Sequence, residues 1–122
     1  MPIPIKVHDD LRFFYRDSGT GTPVLFLSGF ASDHSIWDRV IGELEFSFRC
    51  IALDSRGYGK SDAHSQFFTI DQMAIDTINL LDLLHLSRVH VVGLDMGGMI
   101  AQCLARIVPD RLSSMALLGT AA

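Results

Sequence analysis

The spacing of hydrophobic positions along the 122 residues changes several times, and each change predicts an element. Ile3, Ile5 and Val7, then Leu11, Phe13 and Tyr15, alternate with other residues around Asp9-Asp10, a period-two pattern that predicts an antiparallel hairpin. Ser18-Gly19-Thr20-Gly21-Thr22-Pro23 breaks the alternation and predicts a loop. Beyond it the apolar runs become continuous: Val24 to Leu27, most of Phe48 to Leu53, Val89 to Val92 around His90, and Met115 to Leu118. Runs apolar on both faces belong to strands covered on both faces, as in a parallel sheet between helices. Three helical patterns separate them. Ile36, Val40 and Leu44 recur at i, i+4, i+8 within Ser35 to Phe46. Thr69 and Gln72 form a capping-box pair ahead of a stripe of Met73, Ala74, Ile78, Leu81 and Leu84. The third helix runs from about Met96 to Val108 and stops at Pro109. The expected fold is α/β: an N-terminal antiparallel hairpin, then a parallel βαβαβαβ sheet with helices on both faces.

Composition narrows the function. A chain of this length is one domain, and 48% hydrophobic with 20% charged residues is the balance of a globular protein, not a disordered one. Ten basic against 14 acidic residues give a net charge of −4 with no basic block, which argues against nucleic-acid and anionic-membrane partners. Cys50 and Cys103 read as reduced core residues rather than a disulfide or a metal site. No basic start precedes an apolar block, and no apolar run reaches the ~20 residues that span a bilayer, so a cytoplasmic setting is expected.

Ligands of open α/β sheets bind beyond the carboxyl ends of the strands, so three loops there are the candidate chemistry. In Gly93-Leu94-Asp95-Met96-Gly97-Gly98, small residues two positions either side of Asp95 permit a turn tight enough to push the central side chain into solvent. The plainer role for Asp95 is to cap the helix that follows. Ser28-Gly29-Phe30-Ala31 follows the first parallel strand; a backbone N–H there, at Phe30, and that of Met96 together suit an oxyanion hole. In Asp54-Ser55-Arg56-Gly57-Tyr58-Gly59-Lys60-Ser61, Asp54 and Arg56 are expected to lock the loop by charge-assisted bonds. Gly59-Lys60-Ser61 is not the end of a phosphate-binding loop, since Asp54 stands where that loop needs glycine.

The order of these loops resembles the N-terminal half of α/β-hydrolase fold enzymes, from the hairpin through to Pro109-Asp110-Arg111-Leu112. Small bacterial esterases and enol-lactonases are most similar, with Gly-x-Ser-x-Gly-Gly at the elbow. The resemblance implies one domain over residues 1–122 that lacks the family's lid and C-terminal strands, and a hydrolase of the ester or lactone class with Asp95 at the nucleophile position. It also implies a small-molecule substrate contacted by Ser28, Gly29, Phe30 and His34, with no cofactor and no metal. Haloalkane dehalogenases and epoxide hydrolases use a catalytic aspartate, but usually with tryptophan next to it and His-Gly-x-Pro in the oxyanion loop. Here Met96 and Ser28-Gly29-Phe30-Ala31 stand instead. A catalytically silent binding or assembly module is the third alternative.

The family's chain order is nucleophile, acid, histidine, yet all five histidines precede Asp95. His34 is the one placed to approach the site; His90 reads as a hydrogen-bonded core residue, His85 as a helix-end complement to the dipole, and His8 and His64 as surface. Aspartate, unlike serine, needs no base to attack, so the chain alone is expected to be inactive or to react once and stop. The strand Ser114 to Leu118 is expected at a sheet edge, either joining copies into a homo-oligomer or continuing into a longer chain.

Overall fold

A computed structural model describes residues 3–8, 11–29, 32–55, 61 and 69–121, with side chains described from residue 12 onward. Six strands form one sheet: β1 (Ile3–His8), β2 (Leu11–Ser18), β3 (Thr22–Leu27), β4 (Phe48–Leu53), β5 (Val89–Leu94) and β6 (Leu112–Leu118), in the order β1-β2-β4-β3-β5-β6. The hairpin forms as the alternation predicts, with Ile3 opposite Tyr15 and Ile5 opposite Phe13. It joins the parallel strands through antiparallel pairing of β2 with β4, Tyr15 opposite Leu53. From β4 through β3 and β5 to β6 every pairing is parallel. The turn residues Asp9 and Asp10 lie outside the described residues.

Helices α1 (Asp38–Leu44), α2 (Ile70–Leu83) and α3 (Met96–Ile107) cover both faces. On one, Phe13, Leu25, Leu27, Ile51, Leu53 and Val91 pack against Leu80 and Leu81 of α2 and Ile100 and Leu104 of α3. On the other, Val24, Phe26, Cys50 and Ala52 pack against Trp37 and Ile41. The expected α/β architecture is the observed one. None of the described helices is long and apolar enough to cross a membrane.

Two details depart from the sequence pattern. The buried stripe of the first helical segment is Trp37, Ile41 and Leu44, while Ile36 and Val40 are exposed. Both triplets have helical spacing. The indole decides: its ring centroid lies 5.0 Å from that of Phe26, and its Nε1–H donates to Ser28 Oγ at 3.2 Å. The segment opens as a 3₁₀ turn, His34–Trp37, capped by the Asp33 side chain, and α1 ends at Leu44, before Phe46. The second departure is burial. β3 and β4 are covered on both faces as expected, but β5 alternates, with Val89, Val91 and Gly93 buried and His90, Val92 and Leu94 only half-buried. In β6 every residue after Leu112 is exposed. Apolar runs report composition; whether a helix covers the second face depends on the strand's place in the sheet, and β6 is at its edge. His90 bonds through Nδ1 to Ser114 Oγ at 2.6 Å, tying β5 to that edge strand.

The capping box forms in full: Thr69 Oγ1 accepts the Gln72 N–H at 3.1 Å and Gln72 Oε1 accepts the Thr69 N–H at 2.8 Å. Thr69→Ala is expected to cost about 1 kcal/mol, read as a lower urea midpoint with unchanged slope. At the other end of α2, Arg111 ties the neighbouring turn, donating to the Ser87 and Leu86 carbonyls at 2.8 and 2.7 Å and to Asp82 at 2.8 Å.

Both cysteines are free and buried. Burial pushes both thiols above their ordinary value of 9.0, and Asp71, bonded to Cys103, raises that one further. A raised value in the folded chain stabilises it fully below the ordinary thiol range, and this contribution fades as pH rises through the folded values. Thiol reagents at neutral pH are therefore expected to label both cysteines in urea and neither in the folded chain. Stability should fall from mildly to strongly alkaline pH, which urea titrations at the two conditions will read.

Candidate functional site

The carboxyl end of β5 delivers the chain to α3 through Asp95, whose φ of 55° and ψ of −117° lie in a region that side chains with a Cβ disfavour. Its neighbours explain how it is held there. A Cβ on Gly93 would stand 2.6 Å from the Gly97 carbonyl oxygen and 2.7 Å from Gly98 Cα. One on Gly97 would collide with the Leu27 carbonyl and stand 2.7 Å from that of Ser28. Glycine at these positions lets β5, α3 and the end of β3 touch backbone to backbone. The turn is then pinned by its own peptide groups: the Asp95 N–H donates to the Leu118 carbonyl at 2.9 Å, and the Asp95 carbonyl accepts the Gly98 N–H at 2.9 Å and Thr120 Oγ1 at 2.5 Å.

The Asp95 side chain is exposed and makes no capping bond to the helix behind it. The capping role is therefore not the one it plays. Its carboxylate faces the loop after β3: a Cβ on Gly29 would lie 3.2 Å from Asp95 Cβ and 3.4 Å from its Oδ2. Gly29 thus allows that loop to lie directly against the carboxylate. Met96, the first residue of α3, is half-buried, with its side chain against the α2–α3 core. The first N–H groups of a helix have no partner within the helix, so those of Met96 and Gly97 begin α3 beside Asp95, while that of Gly98 is taken by the Asp95 carbonyl. Phe30 lies outside the described residues.

The 28–34 loop is held by a chain of buried polar contacts. Ser28 turns its hydroxyl inward, donating to the Asp33 carbonyl at 2.9 Å and accepting from Trp37. The Ser32 hydroxyl donates to the Gly29 carbonyl at 2.8 Å, closing a tight turn. His34 is bound at two points by Asp54, whose side chain is 0% exposed: the His34 N–H donates to Oδ1 at 2.8 Å and the ring Nδ1 lies 2.7 Å from the same oxygen. Asp54 in turn directly follows β4, its N–H donating to the Phe14 carbonyl at 2.9 Å and its carbonyl accepting Ser61 Oγ at 2.6 Å, while Ser61 accepts the Phe14 N–H at 2.9 Å. The loop beside Asp95 is therefore anchored to β4 and, through Ser61, to β2. Arg56, the expected partner of Asp54, lies outside the described residues.

The structure thus brings Asp95 and Gly29 together, seats Met96 at the same turn, turns the Ser28 hydroxyl away and occupies His34 Nδ1 with Asp54. Sequence reasoning missed Thr120, whose side chain packs on Gly98 within 2.5 Å of where a Cβ would stand and grips the Asp95 carbonyl. It also missed the bond between His34 and Asp54; the only signal was a histidine seven residues beyond the end of β3 and an aspartate immediately after β4. Ligating atoms of Asp33, His34 and Asp54 lie within 4.8 Å of one another, the one grouping among the described residues able to gather a cation. Each already has a protein partner, Asp33 accepting from Ser35 at 2.8 Å.

A family model described as the alpha/beta hydrolase fold matches residues 22–122. The BpoC protein of Mycobacterium tuberculosis, a non-heme bromoperoxidase by name, is 37% identical over 112 residues, 90% of this chain and 42% of that protein. Epoxide hydrolase 4 of Mus musculus is 34% identical over 120 residues, 94% of this chain and 33% of that protein. Among solved structures, a thermophilic esterase from Thermogutta terrifontis superposes with a TM-score of 0.93 at 34% identity, covering 100% of this chain and 46% of that one. The chain spans less than half the length of each of these relatives.

Proposed function

The chain belongs to the α/β-hydrolase fold family, and on that premise we propose that its hydrolase chemistry begins with attack by the Asp95 carboxylate on an alkyl carbon. The observation that carries this reading is the outward carboxylate lying against Gly29. A carboxylate oxygen forms a C–O bond while the carbon–halogen bond breaks and halide leaves with the electron pair. With an epoxide, a ring C–O bond breaks and the alkoxide takes a proton from water. Either way an alkyl ester of Asp95 results, and no general base is needed to form it. This reading assigns the Met96 N–H to the oxyanion that forms when water later attacks the ester carbonyl, with the Phe30 N–H as the second donor that the sequence pattern suggests. That second step needs an activated water, and no histidine follows Asp95 in this sequence. The 122 residues alone therefore react once.

A second reading is favoured by Met96 and by Ser28-Gly29-Phe30-Ala31, which are the surroundings of a serine nucleophile: ester or lactone hydrolysis, with aspartate standing in serine's place. Attack by a carboxylate on a carboxylic ester gives a mixed anhydride, a poorer route than attack on an alkyl carbon. Bromide release from a short bromoalkane separates the readings. We expect at most one bromide per chain and no further release. No bromide from any bromoalkane and no opening of any epoxide, together with p-nitrophenol release from p-nitrophenyl esters when Asp95→Ser is made in a longer chain that carries a later histidine, would favour the ester reading. Sustained turnover by the 122 residues would contradict the absence of a base.

A further inference from the structure

The segment after β6 holds both of the peptide groups that flank Asp95. The Asp95 N–H donates to the carbonyl of Leu118, the last residue of β6, and two residues later Thr120 Oγ1 donates to the Asp95 carbonyl at 2.5 Å. One contact restrains φ of Asp95 and the other its ψ. The chain comes back over α3 by turning at Gly119, whose φ of 54° lies in the left-handed region that favours glycine. Gly98 admits the approach, since a Cβ there would stand 2.5 Å from both Cβ and Oγ1 of Thr120. Gln102, one turn further along α3, donates through Nε2 to the Ala121 carbonyl at 2.7 Å and so fixes the residue that follows Thr120. A hydroxyl has one proton to give, and the Ala121 carbonyl, at 3.4 Å, is much the poorer acceptor for it.

We propose that Thr120 is a positioning residue for cleavage of the Asp95 ester, acting through the peptide group between Asp95 and Met96. The inference rests on the reading of Asp95 as nucleophile and of the Met96 N–H as a donor to the oxyanion. The Asp95 carbonyl and the Met96 N–H belong to one planar trans peptide group, so they point in opposite directions and fixing one fixes the other. The Gly98 N–H holds that carbonyl from within α3, at 2.9 Å, and Thr120 ties it from outside the helix. A donor on the oxygen also polarises the amide and strengthens its N–H as a donor. Without the hydroxyl, ψ of Asp95 can relax from −117°, a sparsely populated value at this φ, and the Met96 N–H turns with it. Attack by the carboxylate on an alkyl carbon does not use that N–H. Cleavage of the ester does, because its carbonyl oxygen becomes the oxyanion. Thr120 therefore acts on the second half of the reaction and not on the first.

Hydroxylamine supplies the nucleophile for that second half. Its nitrogen attacks the ester carbonyl, the bond to the alkoxy oxygen breaks, the alcohol leaves with a proton from the nitrogen, and a hydroxamate of Asp95 remains. The parent chain, Thr120→Ser and Thr120→Ala are first alkylated with a short bromoalkane, and hydroxamate formation is then followed by mass spectrometry with and without urea. Bromide release in the first step is expected at the same rate in all three. Hydroxamate formation in the folded chain should fall about tenfold in Thr120→Ala, less than the roughly 10²–10³-fold cost of losing a donor outright, and stay within about twofold in Thr120→Ser, which keeps the hydroxyl. In urea the three should be alike. Equal hydroxamate rates in the folded Ala and Ser variants, or bromide release that falls in step with them, would overturn the inference while leaving Asp95 as nucleophile. An ester on the parent chain that reacts no faster folded than in urea would overturn it by removing the part given to the Met96 N–H. A parent chain with no ester at Asp95 would overturn the nucleophile reading itself, and the inference with it.

Discussion

Gly97→Ala is expected to destabilise the chain by about 3 kcal/mol, a large share of the ~5–15 kcal/mol that holds a domain of ordinary stability together. The added methyl group would overlap the Leu27 carbonyl and sit 2.7 Å from that of Ser28. These are backbone atoms at the end of the central strand, clamped between β4 and β5, and they cannot swing aside as a side-chain tip would. α3 must back away from β3, and Ile100, Ala101 and Leu104 leave their seats with it. Two other glycines provide the comparison. Gly42 lies in exposed α1 with nothing within 4 Å, so Gly42→Ala should stabilise the chain by about 1 kcal/mol through helix propensity. At Gly29 the new methyl would meet Asp95 at 3.2–3.4 Å, so Gly29→Ala should leave the urea midpoint nearly unchanged and crowd the carboxylate instead. Urea denaturation of the three variants side by side reads the ranking directly.

Asp95→Gly should act the other way on stability while ending the chemistry. A non-glycine residue at φ 55° and ψ −117° stores about 1–3 kcal/mol of backbone strain, which glycine releases. The bonds that pin the turn are made by the peptide groups of residue 95, so the substitution leaves them in place. A rise of about 1–2 kcal/mol in unfolding free energy with complete loss of bromide release is expected. Equal or lower stability would mean that the side chain contributes more to the fold than the turn costs.

How much of this was legible in the sequence varied with the kind of information each feature needs. Local features were fully legible: the Thr69–Gln72 box, the stop of α3 before Pro109 and the hairpin alternation depend only on near neighbours, and the structure has them. The spacing of Gly93 and Gly97 around Asp95 located the turn because backbone contact there excludes every other residue type. Features set by competition were not legible. Ile36–Val40–Leu44 and Trp37–Ile41–Leu44 have equally good helical spacing, and a bond from the indole to Ser28, nine residues earlier, chose between them. Burial of β5 and β6 depends on strand order, on which an apolar run is silent. The link from His34 to Asp54 and the grip of Thr120 on Asp95 join segments 20 and 25 residues apart, and nothing in their spacing announces it.

The central claim is that the carboxylate at residue 95 is the group this fold presents to a substrate. Its most direct test is peptide mapping by mass spectrometry after incubation with a bromoalkane or an epoxide. The account predicts one alkyl group per chain, esterified to the side chain of Asp95, and none on the other acidic residues or in the Asp95→Asn variant. An unmodified Asp95, or an adduct spread over exposed carboxylates such as Asp38 and Asp82 at a rate that Asp95→Asn leaves unchanged, would contradict it.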